Sequence, residues 1–222
     1  MLYVVATPIG NLSDASARLK EVLSSVDAIL CEDTRVTSKL LAVFGIQKTL
    51  IAYHQHSDDR RVKEILTRLE QGESLALVTD AGTPGISDPG GRLVQMVVET
   101  LGDNVQIVAV PGPSACIAAL SISGFPTDSF LFLGFPPHKK GRQTYFRRVA
   151  DTPETVVFYE STHRIEKTLS ELGALAPDRR LVVCRELTKL YETTYRGTAA
   201  EVTEKLKLGS MKGEFVVVVS PK

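Results

Sequence analysis

The stretch Leu2-Tyr3-Val4-Val5-Ala6-Thr7-Pro8-Ile9-Gly10-Asn11 carries four apolar residues straight into a loop shaped by Gly and Pro. The same arrangement returns twice: residues 75–78 lead into the dense run Thr79 to Gly91, and residues 105–110 lead into Pro111-Gly112-Pro113-Ser114. In an open α/β sheet the carboxyl ends of the strands meet at one edge. Glycines there let a ligand approach the backbone, and prolines fix the loop without a bound partner. Three such loops after similar strands mark that edge as a ligand site.

Around these strands the apolar periodicity alternates between sheet and helix. Leu19, Val22, Leu23 and Val26 recur at helical spacing behind a cap at Ser13 or Asp14. Val62, Ile65, Leu66 and Leu69 do so before Gly72, and Leu93, Val94, Val97, Val98 and Leu101 before Gly102. Further strands are expected at 28–31 and 50–52, so the first half reads as βαβ units with a mostly parallel sheet covered on both faces. Residues 114–123 are small and apolar on every side, as in a helix buried all round, and Gly124-Phe125-Pro126 breaks them. The domain junction is therefore expected between 113 and 114. The second domain, 114–222, offers strands at 130–133, 155–159, 181–185, 191–195 and 214–220, and helices near 141–150, 163–173 and 198–208. Hairpin-length spacing after 185 predicts some antiparallel pairing. The fold class is α/β, in two α/β domains.

The chain has 222 residues and no net charge, and its longest apolar runs fall well short of a membrane span of roughly 18 residues. Met1 leads directly into a strand rather than a signal sequence, which points to a soluble, cytoplasmic protein. Cys31, Cys116 and Cys184 are odd in number and set in apolar stretches, so they read as small core residues. His54 and His56 stand two apart with no third ligand nearby, and no metal site is expected. The charge is unevenly spread: residues 1–113 hold 10 Lys and Arg against 14 Asp and Glu, residues 114–222 hold 16 against 12. Lys139, Lys140, Arg142, Arg147 and Arg148 form a run without a carboxylate, beside His138, Tyr145 and Phe146. A phosphate-contacting patch and a solvated helix start both fit it.

No phosphate cradle of the Gly-x-x-x-x-Gly-Lys-Ser/Thr or Gly-x-Gly-x-x-Gly type is present, which disfavours a nucleotide diphosphate. Pro-shaped loops with Thr and Ser hydroxyls suit a compact ligand with an adenosine and an amino-acid tail, and S-adenosylmethionine is the obvious candidate.

The segments 2–12, Cys31-Glu32-Asp33-Thr34-Arg35, 80–90, 110–115, Phe158-Tyr159-Glu160-Ser161-Thr162-His163-Arg164 and Arg185-Glu186-Leu187-Thr188-Lys189 resemble, in order and over nearly the whole chain, the ribosomal RNA small subunit methyltransferase I family of the tetrapyrrole methylase superfamily. The resemblance implies two α/β domains of the tetrapyrrole methylase type, a homodimer, and S-adenosylmethionine held in the cleft between the domains. The implied activity is methylation of the ribose 2′-oxygen of a cytidine in small-subunit (16S) ribosomal RNA, with RNA within the small ribosomal subunit as the expected partner. It implies cofactor contacts at Pro8, Gly10, Asp80, Gly82, Thr83, Pro84, Ile86, Ser87, Ser114 and Ala115. Thr83 stands where porphyrinoid methylases carry the Asp of a Gly-Asp-Pro motif. A further helical segment is expected in this branch after the strand 214–220.

Methyl transfer is an in-line displacement that needs alignment, exclusion of water and a proton acceptor for the attacking hydroxyl. Asp33, Glu160, Glu186 and Lys189 are the candidate acceptors, with Asp33, Glu160 and Lys189 foremost. Each has a second reading: Asp33 as a loop ion pair with Arg35, Glu160 as a helix cap, Lys189 as a phosphate contact, since a lysine base needs a depressed pKa. His163 is expected to make a structural hydrogen bond. Arg35, Lys139, Lys140, Arg142 and Arg164 are the expected substrate contacts. A porphyrinoid methyltransferase and a non-catalytic RNA- or ribosome-binding relative are the rival functions.

Overall fold

The computed structural model describes residues 1–54, 57 and 59–222 and divides into two units, Met1–Ser114 and Ala115–Lys222. In the first, strands β1 (Leu2–Val5), β2 (Ala28–Cys31), β3 (Thr49–Ala52), β4 (Leu75–Leu77) and β5 (Ile107–Val110) form one sheet, in the order β3-β2-β4-β1-β5, every pair parallel. Strand periodicity sends alternate side chains to opposite faces. Leu2, Ala28, Leu30, Leu75 and Leu77 go one way, to helices α3 (Asp59–Glu70) and α4 (Gly90–Leu101). Val5, Ile29, Cys31 and Ala76 go the other way, to α1 (Ala17–Ser25) and α2 (Thr34–Val43). Both faces are buried, which is why these strands read as continuous apolar runs.

The second unit is a mixed sheet of β6 (Phe130–Phe132), β7 (Thr155–Ser161), β8 (Leu181–Arg185), β9 (Thr193–Gly197) and β10 (Glu214–Val219), in the order β6-β7-β10-β8-β9. Only β6 and β7 run parallel; the other three pairs are antiparallel. Helices α6 (Arg142–Asp151), α7 (Ile165–Leu175) and α8 (Ala199–Leu208) cover one face around Phe146, Phe158, Leu169, Val202 and Phe215. Helix α5 (Ala115–Ser121) packs on β7 and β10, where the Cys116 N–H donates to the Tyr159 hydroxyl at 3.3 Å.

Several expectations need correcting. The residues at 13 and 14 lie in a short 3-10 turn capped by Asn11, and the true cap of α1 is Ser16, whose Oγ accepts from Leu19 N at 3.0 Å. Helix α2 was not foreseen, because its buried face carries only Thr37 and Leu41. The strand expected at 191–195 begins two residues later, since residues 186–192 are spent in a turn fastened by the Arg185 guanidinium to the Tyr191 carbonyl. Helix α5 is buried on one side only: Cys116, Ala119 and Leu120 are covered while Ile117 remains half exposed. The three cysteines are free and buried, and burial pushes Cys116 and Cys184 up to about 11, beyond thiolate chemistry at neutral pH. Among the described residues no group of three His, Cys, Asp or Glu is placed to hold a metal; His56 lies outside them.

The cap assignment has a direct consequence. Ser16→Ala is expected to cost about 1 kcal/mol in denaturant unfolding, and Ser13→Ala a few tenths at most. Equal losses would contradict it.

Candidate functional site

The connection from β1 to β2 leads across the sheet in one direction and that from β4 to β5 in the other, so the carboxyl ends of the neighbours β1 and β4 open a crevice. The loops leaving these ends are tied to each other. Thr7 N donates to Gly82 O at 2.9 Å and Gly82 N to Thr7 O at 3.1 Å. The buried Thr7 hydroxyl donates to Thr79 O at 3.1 Å, and the Thr83 hydroxyl to Pro113 O at 3.2 Å, which adds the loop after β5. Position 82 favours glycine through its backbone, φ +88°, since a Cβ there would make only ordinary contacts, 3.4 Å from Ile9 Cγ2 and 3.7 Å from Pro113 O.

The β4 loop is braced from within by Asp88, whose Oδ1 accepts from Gly85 N at 2.8 Å and Gly90 N at 2.7 Å. Sequence reading missed Asp88 as a shaping residue, although Asp-Pro-Gly at a loop end is an Asx-turn signal. Pro8 is half buried, Gly10 exposed, Pro84 buried, and Ile86 and Ser87 face solvent, Ser87 in left-handed backbone at φ 64°. Ser114 ends the first unit and Ala115 opens α5 in the second.

Charge at this edge is acidic. Burial raises the Glu32 carboxyl, helped by Asp80 and Asp88. Burial also raises Asp80, against the hydrogen bond it accepts from Asp33 N at 3.2 Å and with the help of the Asp33 charge. Neither the β1 loop nor residues 79–91 contain a Lys or Arg. The two loops themselves, as distinct from α2 beside them, suit a compact ligand that carries positive charge.

The three expected proton acceptors fare differently. Asp33 caps α2 through Arg35 N at 2.8 Å and is gripped by the Arg35 guanidinium at 2.6 and 3.0 Å, which holds it down at about 2, a poor base. Glu160 is enclosed in the second unit: its carboxylate accepts from Ser161 N, takes the Thr168 hydroxyl at 2.6 Å and pairs with Arg164 at 2.8 Å. Arg142, also buried, reaches Thr168 at 2.7 Å, Glu171 at 2.7 Å and the Phe146 ring, and lies 3.9 Å from Glu160. Lys189 bonds Glu214 at 2.8 Å and Glu186 at 3.1 Å. Burial alone would lower its ammonium, but these carboxylates outweigh it and hold it above its ordinary range, opposite to what a base requires. Arg142 and Arg164, expected on RNA, are thus spent internally, Arg164 also on the Pro136 carbonyl at 2.8 Å. Lys139, Lys140, Arg147 and Arg148 remain exposed, as does Arg35 beyond its pair.

The profile of the tetrapyrrole (corrin/porphyrin) methylases matches residues 1–203. The chain is 47% identical to the ribosomal RNA small subunit methyltransferase I of Xylella fastidiosa, over 98% of its own length and 80% of the relative's. The chain belongs to the ribosomal RNA small subunit methyltransferase I family, within the tetrapyrrole methylases. The methyltransferase CobJ superposes at TM-score 0.72 with 18% identity, covering 99% of this chain and 93% of that one. Uroporphyrin-III C-methyl transferase from Thermus thermophilus, complexed with S-adenyl homocysteine, gives 0.66 at 18% identity, over 98% and 96%. These likenesses establish the tetrapyrrole methylase fold, here with a second unit whose arginines are partly tied into its interior.

Two outcomes follow for this family member. Glu160→Ala removes the buried carboxylate that pairs with Arg164 at 2.8 Å and lies 3.9 Å from the buried Arg142, and is expected to cost about 3–5 kcal/mol in denaturant unfolding; unchanged stability with lost turnover would return Glu160 to the reacting site. In a carbon-detected titration Asp33 is expected to stay charged until pH falls to about 2. Its depressed pKa means the capping contribution is present above the ordinary carboxyl range and lost only below it. A midpoint at about 4 would contradict the bidentate grip.

Proposed function

We propose that the protein methylates the ribose 2′-oxygen of a cytidine in small-subunit ribosomal RNA, with S-adenosylmethionine as donor at the crevice between β1 and β4. The observation that carries this is the tied set of Gly/Pro loops at that crevice, acidic and free of Lys and Arg, in a chain of this family. Pro8, Gly10, Gly82, Thr83, Pro84, Ile86 and Ser87 would hold the donor, with Ser114 and Ala115 at the loop after β5. When bound, the donor supplies an electrophilic methyl on a sulfonium, a cation that the Glu32, Asp80 and Asp88 carboxylates favour.

The residues of the chain supply alignment and a proton acceptor. Asp80 takes that role in our reading: it is exposed, sits in the β4 loop, and its raised pKa makes it a better base than Asp33. Asp33 and Arg35 then orient Asp80 through the Asp33 N–H. Lys139, Lys140, Arg147 and Arg148 are left for RNA phosphate, which gives the second domain its substrate-facing role. The small subunit as target, a homodimer and a cytoplasmic site of action accompany this reading; the relatives' names support the first, and the family resemblance the second.

Nucleoside mass spectrometry of small-subunit RNA, from cells with and without the gene, is the test. Loss of one 2′-O-methylcytidine is expected, with its return on complementation. An unchanged nucleoside profile would overturn the activity. In purified enzyme, Asp80→Asn should lower turnover about a hundredfold or more with S-adenosylhomocysteine affinity little changed. Full turnover would remove Asp80 from the role.

A further inference from the structure

Helix α2 carries apolar side chains on two faces. Thr37 and Leu41 point into the domain and are nearly inaccessible, at 2% and 3%. Val36, Leu40 and Val43, spaced i, i+4, i+7, form a second stripe that faces outward, with Val36 39% and Val43 59% exposed. Across from it Leu12 is also exposed, at 45%. A helix that needs only to cover a sheet has no use for the second stripe. It forms one wall of a cavity of about 370 Å³, inside the roughly 300–1,000 Å³ typical of ligand sites, whose other wall is Pro8, Gly10 and Leu12 and whose floor is Thr79 and Asp80.

Resting on the function proposed above, we infer that this cavity receives the target nucleoside, turned out of the RNA, with its base against the Val36–Leu40–Val43 stripe. A slot with apolar walls and a polar floor matches a nucleobase, which has apolar faces and polar edges. Lys39 lines the same cavity and is exposed, so a cation stands at the rim where a flanking phosphate of a nucleotide passes, and Arg35, paired with Asp33, lies one turn before it. The cavity shares Pro8, Gly10 and Asp80 with the donor loops, so a nucleoside seated there brings its ribose to the carboxylate proposed as acceptor. The other nucleoside available, the adenosine of the donor, carries no phosphate on its ribose, so a cation at the position of Lys39 has no such group to meet there.

The double variant Val36→Ser with Val43→Ser tests the assignment. Both side chains are exposed, so thermal unfolding should match the unaltered protein. The substrate is small ribosomal subunits from cells lacking the gene, and S-adenosylhomocysteine is the calorimetric probe. The RNA KM is expected to rise tenfold or more, with S-adenosylhomocysteine affinity within twofold. Lys39→Gln should raise the same KM severalfold, and less so at high salt. An unchanged RNA KM in both variants, with the unaltered protein active, overturns the cavity assignment alone. A parallel loss of S-adenosylhomocysteine affinity assigns the cavity to the donor's adenosine and also overturns it. No methylation by the unaltered protein overturns the proposed function, and this inference with it.

Discussion

Two loops that leave the first sheet in opposite directions are held together by a single backbone pair, Thr7 with Gly82, and the chemistry of the chain depends on it. Without that pair the crevice between β1 and β4 would be two independent strand ends. With it, the Thr7 hydroxyl reaches Thr79, Thr83 reaches the loop after β5, and Asp80 is left at the rim. The pair needs a residue at position 82 that tolerates left-handed backbone within van der Waals reach of Ile9, so one glycine sets the geometry of three loops. Pre-shaped loops reduce the ordering cost when a ligand arrives.

Charge is partitioned with similar economy. Of the cations in the basic run, Arg142 is drawn inward by Glu160 and Glu171, and Arg164, just before α7, joins it on Glu160. A buried carboxylate between two guanidiniums helps fix how α6 and the start of α7 meet β7, because Glu160 left without them would be an unpaired buried charge. What remains on the surface, Lys139, Lys140, Arg147 and Arg148, is a smaller patch than the sequence promised, and it is carried by a helix start that is anchored from below.

Most of the sheet was legible in advance, because strands buried on both faces write themselves as apolar runs bounded by Gly and Pro. The positions of β1, β2 and β8 agree with the residues expected. Helix α2 was hidden for the opposite reason: its covered face is narrow, and its outward apolar stripe gives no single amphipathic pattern. The roles of Glu160 and Lys189 were not readable, since a carboxylate after a strand looks the same whether it turns into the domain or out of it. Only the positions of Thr168, Arg164 and Glu214 decide that, and they lie up to 25 residues away in sequence. Asp33 stood in the open as a pair with Arg35, and its local spacing of two residues was enough to suggest it.

Hydrogen exchange of the whole chain, with and without S-adenosylhomocysteine, tests the central claim most directly. The account predicts that added ligand slows exchange in residues 6–12 and 79–91, the two loops joined by Thr7 and Gly82. Protection elsewhere, with both loops exchanging as before, would contradict it.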